Sequence, residues 1–248
     1  LDIIIDNFNE MAGELGSIET LRTDFISNVS HELKTPLSII QNYSALMQDE
    51  RTTDLERKEY SKSIYETSQN LSNLITNILK LNKLENQKIF LETSEYNLSE
   101  QLIECLLCFE SIWEEKNINI DVDIEEDLML NADKELTSII WNNLYSNAFK
   151  FTEDSGEVNI KAKSENNFII ISISDNGCGM SKDTGKHIFE KFYQGDTSHA
   201  TNGNGLGLAL VKRIIDIMNA DIYIESTLGK GTTFTVKLDL NKNKIYNI

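Results

Sequence analysis

Residues 25–37 read FISNVSHELKTPL and contain Pro36, the only proline among 248 residues, where ordinary usage would place about twelve. Proline lacks an amide hydrogen and fixes φ, so a chain almost free of it suits long helices, and its one proline marks something. Before this stretch the apolar positions run Ile4, Phe8, Met11, Leu15 and Ile18, then Arg22 as an interruption, then Phe25, spaced by four and three. The spacing predicts a coiled-coil seam; one amphipathic helix packed on its own domain is the plainer reading of the same pattern. Beyond Pro36 the run continues through Leu37, Ile40 and Leu46 and breaks in the polar cluster at 49–53.

A second run, Tyr60, Ile64, Thr67, Leu71, Leu74, Ile78 and Leu81, has the same alternation. Two such helices joined by a short polar turn predict an antiparallel hairpin. A lone hairpin hides one stripe of each helix, so two copies are expected to pair as a homodimeric four-helix bundle.

After about residue 90 the period changes. One more helix is expected over Asn97–Lys116, opened by Asn97 and Glu100 at capping-box spacing. Alternating segments follow at Ile118–Ile124, Val158–Ala162, Ile222–Ile224 and Phe234–Leu238, together with the apolar run Phe168–Ile173. Helices near 133–150 and 205–219 lie between them. The fold class is thus a multi-domain chain, an all-α helical hairpin followed by an α/β layered domain.

Composition narrows the function. Lys and Arg number 23 against 40 Asp and Glu, a formal net charge of −17, so no nucleic-acid partner is expected. Nothing approaches the roughly 18 uninterrupted apolar residues that a spanning helix requires. Leu1 is not an initiator methionine, which suggests a piece of a longer protein. Cys105, Cys108 and Cys178 are too few and wrongly spaced for a disulfide framework, and a reducing compartment fits best. Cys105 and Cys108 lie in an apolar helical face without a second ligand pair, and so read as core residues rather than a zinc site. Trp113 and Trp141 read as packing.

Four constellations carry chemistry. His31 and Glu32 stand just before Pro36, with His31 directed away from a seam of Arg22, Phe25, Val29 and Leu33. A neutral imidazole has one nitrogen able to attack while a carboxylate such as Glu32 takes the other N–H. Taken alone, the pair is equally a solvated surface feature. Asn143, Asn147 and Lys150 share one helical face at i, i+4 and i+7. An amide oxygen suits Mg²⁺ and the lysine suits phosphate, though a solvent-facing stripe has the same pattern. Asp175-Asn-Gly177-Cys-Gly179 ends the apolar strand, where a carboxylate can accept from the amine of adenine; a plain Asn-Gly turn also accounts for it. Finally, Gly203-Asn-Gly205-Leu206-Gly207-Leu208 opens a helix whose N-terminal amides fit a triphosphate. This glycine spacing matches neither the dinucleotide fingerprint nor a P-loop.

In this order, and with the Ile188-Phe189-Glu190-Lys191-Phe192-Tyr193 segment between the last two, these boxes resemble the sensor histidine kinases of two-component systems over about residues 20–240. Phe8-Asn-Glu-Met11-Ala and Leu15 resemble the end of a HAMP signalling linker. The resemblance implies a HAMP-like end at 1–19 and a dimerisation and histidine-phosphotransfer domain at 20–90. It implies an ATP-binding domain of the gyrase, heat-shock and kinase type at 91–241, an α/β two-layer sandwich, and a tail at 242–248.

It implies that His31 is the phosphoacceptor, Glu32 its base and Asn147 the Mg²⁺ ligand. Asn143 and Lys150 would be nucleotide partners and Asp175 the adenine reader, with Gly177 and Gly179 shaping that wall. Gly203, Gly205, Leu206, Gly207 and Leu208 would form the phosphate loop. Residues 181–202 would be an ATP lid anchored by Phe189 and Phe192, and Thr35 would orient water in a reverse phosphatase reaction. The implied partners are a second copy and a response-regulator receiver domain. The implied setting is the cytoplasmic side of a bacterial inner or plasma membrane, below a sensor region outside this chain. Where the family's hydrolases carry a glutamate four residues before the metal-binding asparagine, this chain has Asn143, which cannot act as a base. One departure stands out: the basic residue usual after the Phe-Tyr pair is Gln194, leaving Lys191 or Lys150 to cover the γ-phosphate charge. Two other readings stay open, a silent ATP-binding scaffold and an ATP-hydrolysing machine.

Overall fold

A computed structural model describes residues 2–86, 91–195 and 203–240, and for most residues before Phe25 it describes backbone alone. The seam positions from Ile4 to Arg22 therefore lie outside the described side chains. The chain forms two compact units that divide between Thr76 and Asn77, inside a helix rather than at the composition change near residue 90.

The first unit holds the hairpin up to Thr76. Helix α1 (Asp2–Met47) continues past Pro36, whose missing N–H deprives the Glu32 carbonyl of its helical donor. Helix α2 (Asp54–Asn86) begins with a reciprocal cap that was not anticipated: Glu56 N donates to Thr53 Oγ1 at 3.3 Å, and Thr53 N donates to Glu56 Oε2 at 2.8 Å. Such a box contributes about 1 kcal/mol. The turn is fixed further by the Arg57 guanidinium, which donates to Met47 O and Asp49 O, and by Tyr43 stacked on Tyr60 with centroids 5.2 Å apart.

In the second unit a five-stranded sheet has the order β2-β4-β5-β7-β6, comprising β2 (Asn119–Ile124), β4 (Glu157–Glu165), β5 (Phe168–Asp175), β6 (Asp221–Thr227) and β7 (Gly231–Asp239). Only β2 and β4 pair in parallel. Along β5 burial alternates: Ile169, Ile171 and Ile173 are each 1% exposed. Each contributes roughly 1.5–3 kcal/mol by leaving water. This apolar face packs against helix α5 (Lys134–Phe151), and α3 (Leu98–Leu107) and α7 (Gly207–Ile217) pack on α5.

Three details differ from the sequence reading. The helix expected over 97–116 is broken into α3 and α4 (Glu110–Glu115), because Phe109 leaves the helical path and lays its ring on Tyr145 and Phe149, at 6.3 and 5.5 Å. A short antiparallel pair, β1 (Ser94–Asn97) with β3 (Met129–Ala132), was not foreseen. Nor was α6 (Lys182–His187), capped by Ser181 Oγ accepting from Thr184 N. Asn97 does cap α3, accepting from Glu100 N at 3.2 Å. Its amide donates to Asp127. Cys105 is buried, Cys108 is exposed, and all three cysteines are free thiols. Trp141 is fully buried and donates to Gln101 Oε1 at 3.2 Å.

Candidate nucleotide site and phosphoacceptor helix

Helix α5 begins where Asp133 Oδ1 accepts from Glu135 N and Leu136 N, and it buries Ile140, Trp141, Leu144, Tyr145 and Ala148. That core stripe turns Asn143, Asn147 and Lys150 onto a half-buried second face. The face meets the glycine loop at two places. A Cβ on Gly207 would sit 2.5 Å from Asn143 Oδ1, and a Cβ on Gly203 would sit 2.5 Å from Lys150 Nζ. Seven residues of helix cover about 10 Å, so loop and helix face run alongside one another and Asn147 falls between the contacts.

The three asparagines behave differently. Asn142 and Asn143 turn their amide donors back onto Ser138 O and Ile139 O, at 2.8 and 2.7 Å. Asn147 makes no such bond among the described residues. Lys150 lies over the Phe151 ring, with Nζ 4.7 Å from the centroid, and burial pushes its pKa down. An anionic ligand would relieve that cost.

Asp175 ends β5. Its Oδ1 accepts from Gly177 N at 2.9 Å and from Thr232 N at 3.3 Å, so that oxygen is committed and Oδ2 remains. Burial pushes the carboxyl's pKa up, and the two amide bonds oppose the shift. The turn after it is packed too closely for side chains. A Cβ on Gly177 would collide with Phe151 O, and one on Gly179, at φ +60°, with Thr227 O. The C-terminal end of α5 therefore borders both the Asp175 turn and the lysine that meets the glycine loop.

Residues 132–242 match the family described as "Histidine kinase-, DNA gyrase B-, and HSP90-like ATPase", and residues 21–87 match "His Kinase A (phospho-acceptor) domain". The chain belongs to the sensor histidine kinases. The Heme sensor protein HssS of Staphylococcus saprophyticus is 34% identical over 230 residues, covering 92% of this chain and 49% of that protein. HssS of Staphylococcus aureus strain JH9 is 34% identical over 238 residues, covering 96% and 51%. The chain thus spans about half the length of the curated relatives it matches. Among solved structures, histidine kinase ThkA in complex with response regulator protein TrrA aligns with a TM-score of 0.74 at 24% identity, over 89% of this chain and 62% of that one. That likeness shows the fold. Full-length ShkA in complex with AMPPNP aligns with a TM-score of 0.65 at 27% identity, over 89% and 45%.

In this histidine kinase chain, His31 is exposed on α1, in the unit that does not contain the site just described. Glu32 is half-buried, and no hydrogen bond joins the two side chains. Thr35 Oγ1 donates to His31 O at 3.3 Å, longer than an ordinary hydroxyl bond, so the hydroxyl is only weakly committed. Leu206 is fully buried, which restricts any ligand role to its backbone, and its N–H donates to Asn204 Oδ1. Leu208 is half-buried. Phe192, at φ +62°, donates its N–H to Gly205 O at 2.9 Å, tying the aromatic segment to the glycine loop. Residues 196–202 of the expected lid lie outside the described residues.

Lys191 pairs with Glu85 at 2.6 Å, and among the described residues Lys150 Nζ lies beside Gly203 of the glycine loop. Thr232 N and the Phe151 carbonyl were missed by sequence reasoning. The first had a signal in the Gly229-Lys-Gly231-Thr232 turn, whereas a backbone carbonyl has none.

Proposed function

We propose that this chain is the catalytic region of an ATP-dependent protein-histidine kinase that phosphorylates its own His31 and passes the group to an aspartate of a response regulator. The observation that supports it most is the meeting of Asn143 and Lys150 with the glycine loop, in a chain that also exposes His31 on α1. Asp175 Oδ2 would accept from the adenine amine. Lys150 and the amides at the start of α7 would hold phosphate. The residues present fit a Mg²⁺ that would be held in part by water and phosphate, because Asn147 offers one hard amide oxygen. Bound there by Asn147, the ion would neutralise phosphate charge.

Asn143 turns its amide donors inward to Ile139 O, and an amide cannot take a proton from water. Hydrolysis is therefore slow and ATP persists until an imidazole arrives. The His31 nitrogen attacks the γ-phosphorus in line, the bond to the β-phosphate oxygen breaks, and the imidazole's other proton is released toward Glu32. Exposed apolar side chains on the hairpin, including Ile26, Leu37, Leu46, Leu55 and Tyr65, support the homodimeric bundle. The relatives' description as sensors supports a place beneath a bacterial membrane, although no helix among the described residues is long and apolar enough to cross one.

Incubation with γ-labelled ATP and Mg²⁺ tests the reading: acid-labile, base-stable label on the protein is the expected result. Two further outcomes are specific. Gln194 is exposed, and Gln194→Arg, which restores the basic residue usual after the Phe-Tyr pair, should raise the initial labelling rate about threefold or more. An unchanged or slower time course would refute that. Thr35→Ala should abolish dephosphorylation of the phosphorylated receiver while autophosphorylation stays within about twofold. Loss of both activities would point to a folding defect in α1.

A further inference from the structure

We infer that Lys116, which follows α4 in the chain, is a positioning residue for the nucleotide site and acts by closing the C-terminal end of α5. The inference rests on the nucleotide-binding reading above. A helix leaves its last four carbonyls without helical donors, and they carry a partial negative charge. At the end of α5 every one of these acceptors is taken. Ala148 O receives Thr152 N and Thr152 Oγ1, at 3.0 and 2.7 Å. Phe151 O receives Cys178 N at 3.4 Å, from the turn after Asp175. The remaining two, Phe149 O and Lys150 O, receive the Lys116 ammonium at 2.9 and 3.4 Å, and Thr152 O receives it at 2.7 Å. An ammonium has three donors and no acceptor, so this one matches its surroundings in number and in charge.

Lys116 is itself held. Its N–H donates to Ile112 O, its carbonyl accepts from Ser155 N at 2.7 Å, and the buried Ile118 follows two residues on. The segments at 116–118 and 152–156 are thereby tied in both directions. What the ammonium fixes is the one piece of backbone that borders both ends of the site. Lys150 projects from it toward Gly203, and Phe151 O abuts Gly177 beside Asp175. Without the ammonium, three carbonyls must recruit water and the last turn is free to unwind, which shifts Lys150 and removes the abutment of the adenine-reading turn. Asp175 meets the base and Lys150 the phosphates of bound ATP, so the loss is read first in nucleotide affinity.

The test uses the whole chain, with displacement of a fluorescent ATP analogue by Mg-ATP as the affinity readout and phosphorylation at saturating ATP as the turnover readout. Lys116→Met should weaken ATP binding about tenfold, with a smaller fall in the saturated rate, and Lys116→Arg, which restores charge and donors, should bind within about threefold of wild type. Both are measured well below each variant's thermal midpoint, so that a merely structural role would move the midpoint and leave affinity unchanged. Affinity of folded Lys116→Met within about twofold of wild type overturns the inference. If that variant does not fold, Lys116→Gln takes its place, with the same weakening expected and the same result overturning it. Failure of the wild-type chain to bind ATP would instead overturn the nucleotide reading on which the inference rests.

Discussion

Replacing His31 by glutamine is expected to abolish acid-labile phosphate incorporation, by about a hundredfold or more, while ATP affinity stays within about twofold of wild type. Glutamine is neutral, similar in reach and a better helix former than histidine, so an exposed position on α1 should accept it without loss of fold. Its amide nitrogen has no basic lone pair. The in-line attack therefore loses its nucleophile, while the ATP-binding unit, to which His31 does not belong, keeps Asp175, Lys150 and the glycine loop. The variant also separates the three readings of the chain. Label on wild type that vanishes in the variant supports the kinase. No label on either, with ATP still bound, supports a silent scaffold. Free phosphate released equally by both would mean that water is activated after all and that the amide at position 143 does not keep it out.

How far the sequence carried this picture depends on the range of the physics at each place. Long periodic segments announce themselves, because burying one face of a helix or strand needs the same residue type every third or fourth, or every second, position. So α1, α2, α5 and β5 were legible, and so was the shared face of Asn143, Asn147 and Lys150, which is helix geometry alone. The break at Phe109 was not, because it is set by rings on α5 some forty positions away in the chain. The pairing of β1 with β3 was also hidden, since four residues are too few for alternation to register. Glu85 and Lys191 met for a similar reason, across 106 positions. Lys116 is the sharpest case. In sequence it is one more charged residue on a polar helix face, and only the end of another helix shows what its three donors are for. The glycines lie between these extremes: their clustering flagged a loop, but the need for glycine at 207 comes from an asparagine on a different helix.

Replacing Asp175 by asparagine is expected to weaken ATP binding by about a hundredfold and, at neutral pH, to leave the chain as stable as wild type or more so. The two effects have one cause. Oδ1 of Asp175 is held by Gly177 N and Thr232 N, and the amide oxygen of asparagine can keep both bonds in the same place. The atom left at the position of Oδ2 is then NH₂, a donor aimed at the donor amine of adenine, so an attraction becomes a repulsion rather than merely a gap. Stability moves the other way because the carboxyl's pKa is raised by burial. A carboxylate whose folded pKa lies above its unfolded value contributes stability that is fully present below the unfolded pKa and is lost as the pH rises through the folded one. At pH 7 the wild-type chain therefore carries a buried charge that asparagine does not, and the difference should shrink as pH falls toward the carboxylate range and Asp175 takes up its proton. Thermal midpoints of both chains across pH 4 to 8, with ATP titrations on the same samples, check this. A midpoint clearly lower for Asp175→Asn at pH 7, or ATP affinity within about threefold of wild type, would show that Asp175 is a structural turn residue and not the carboxylate that reads the base.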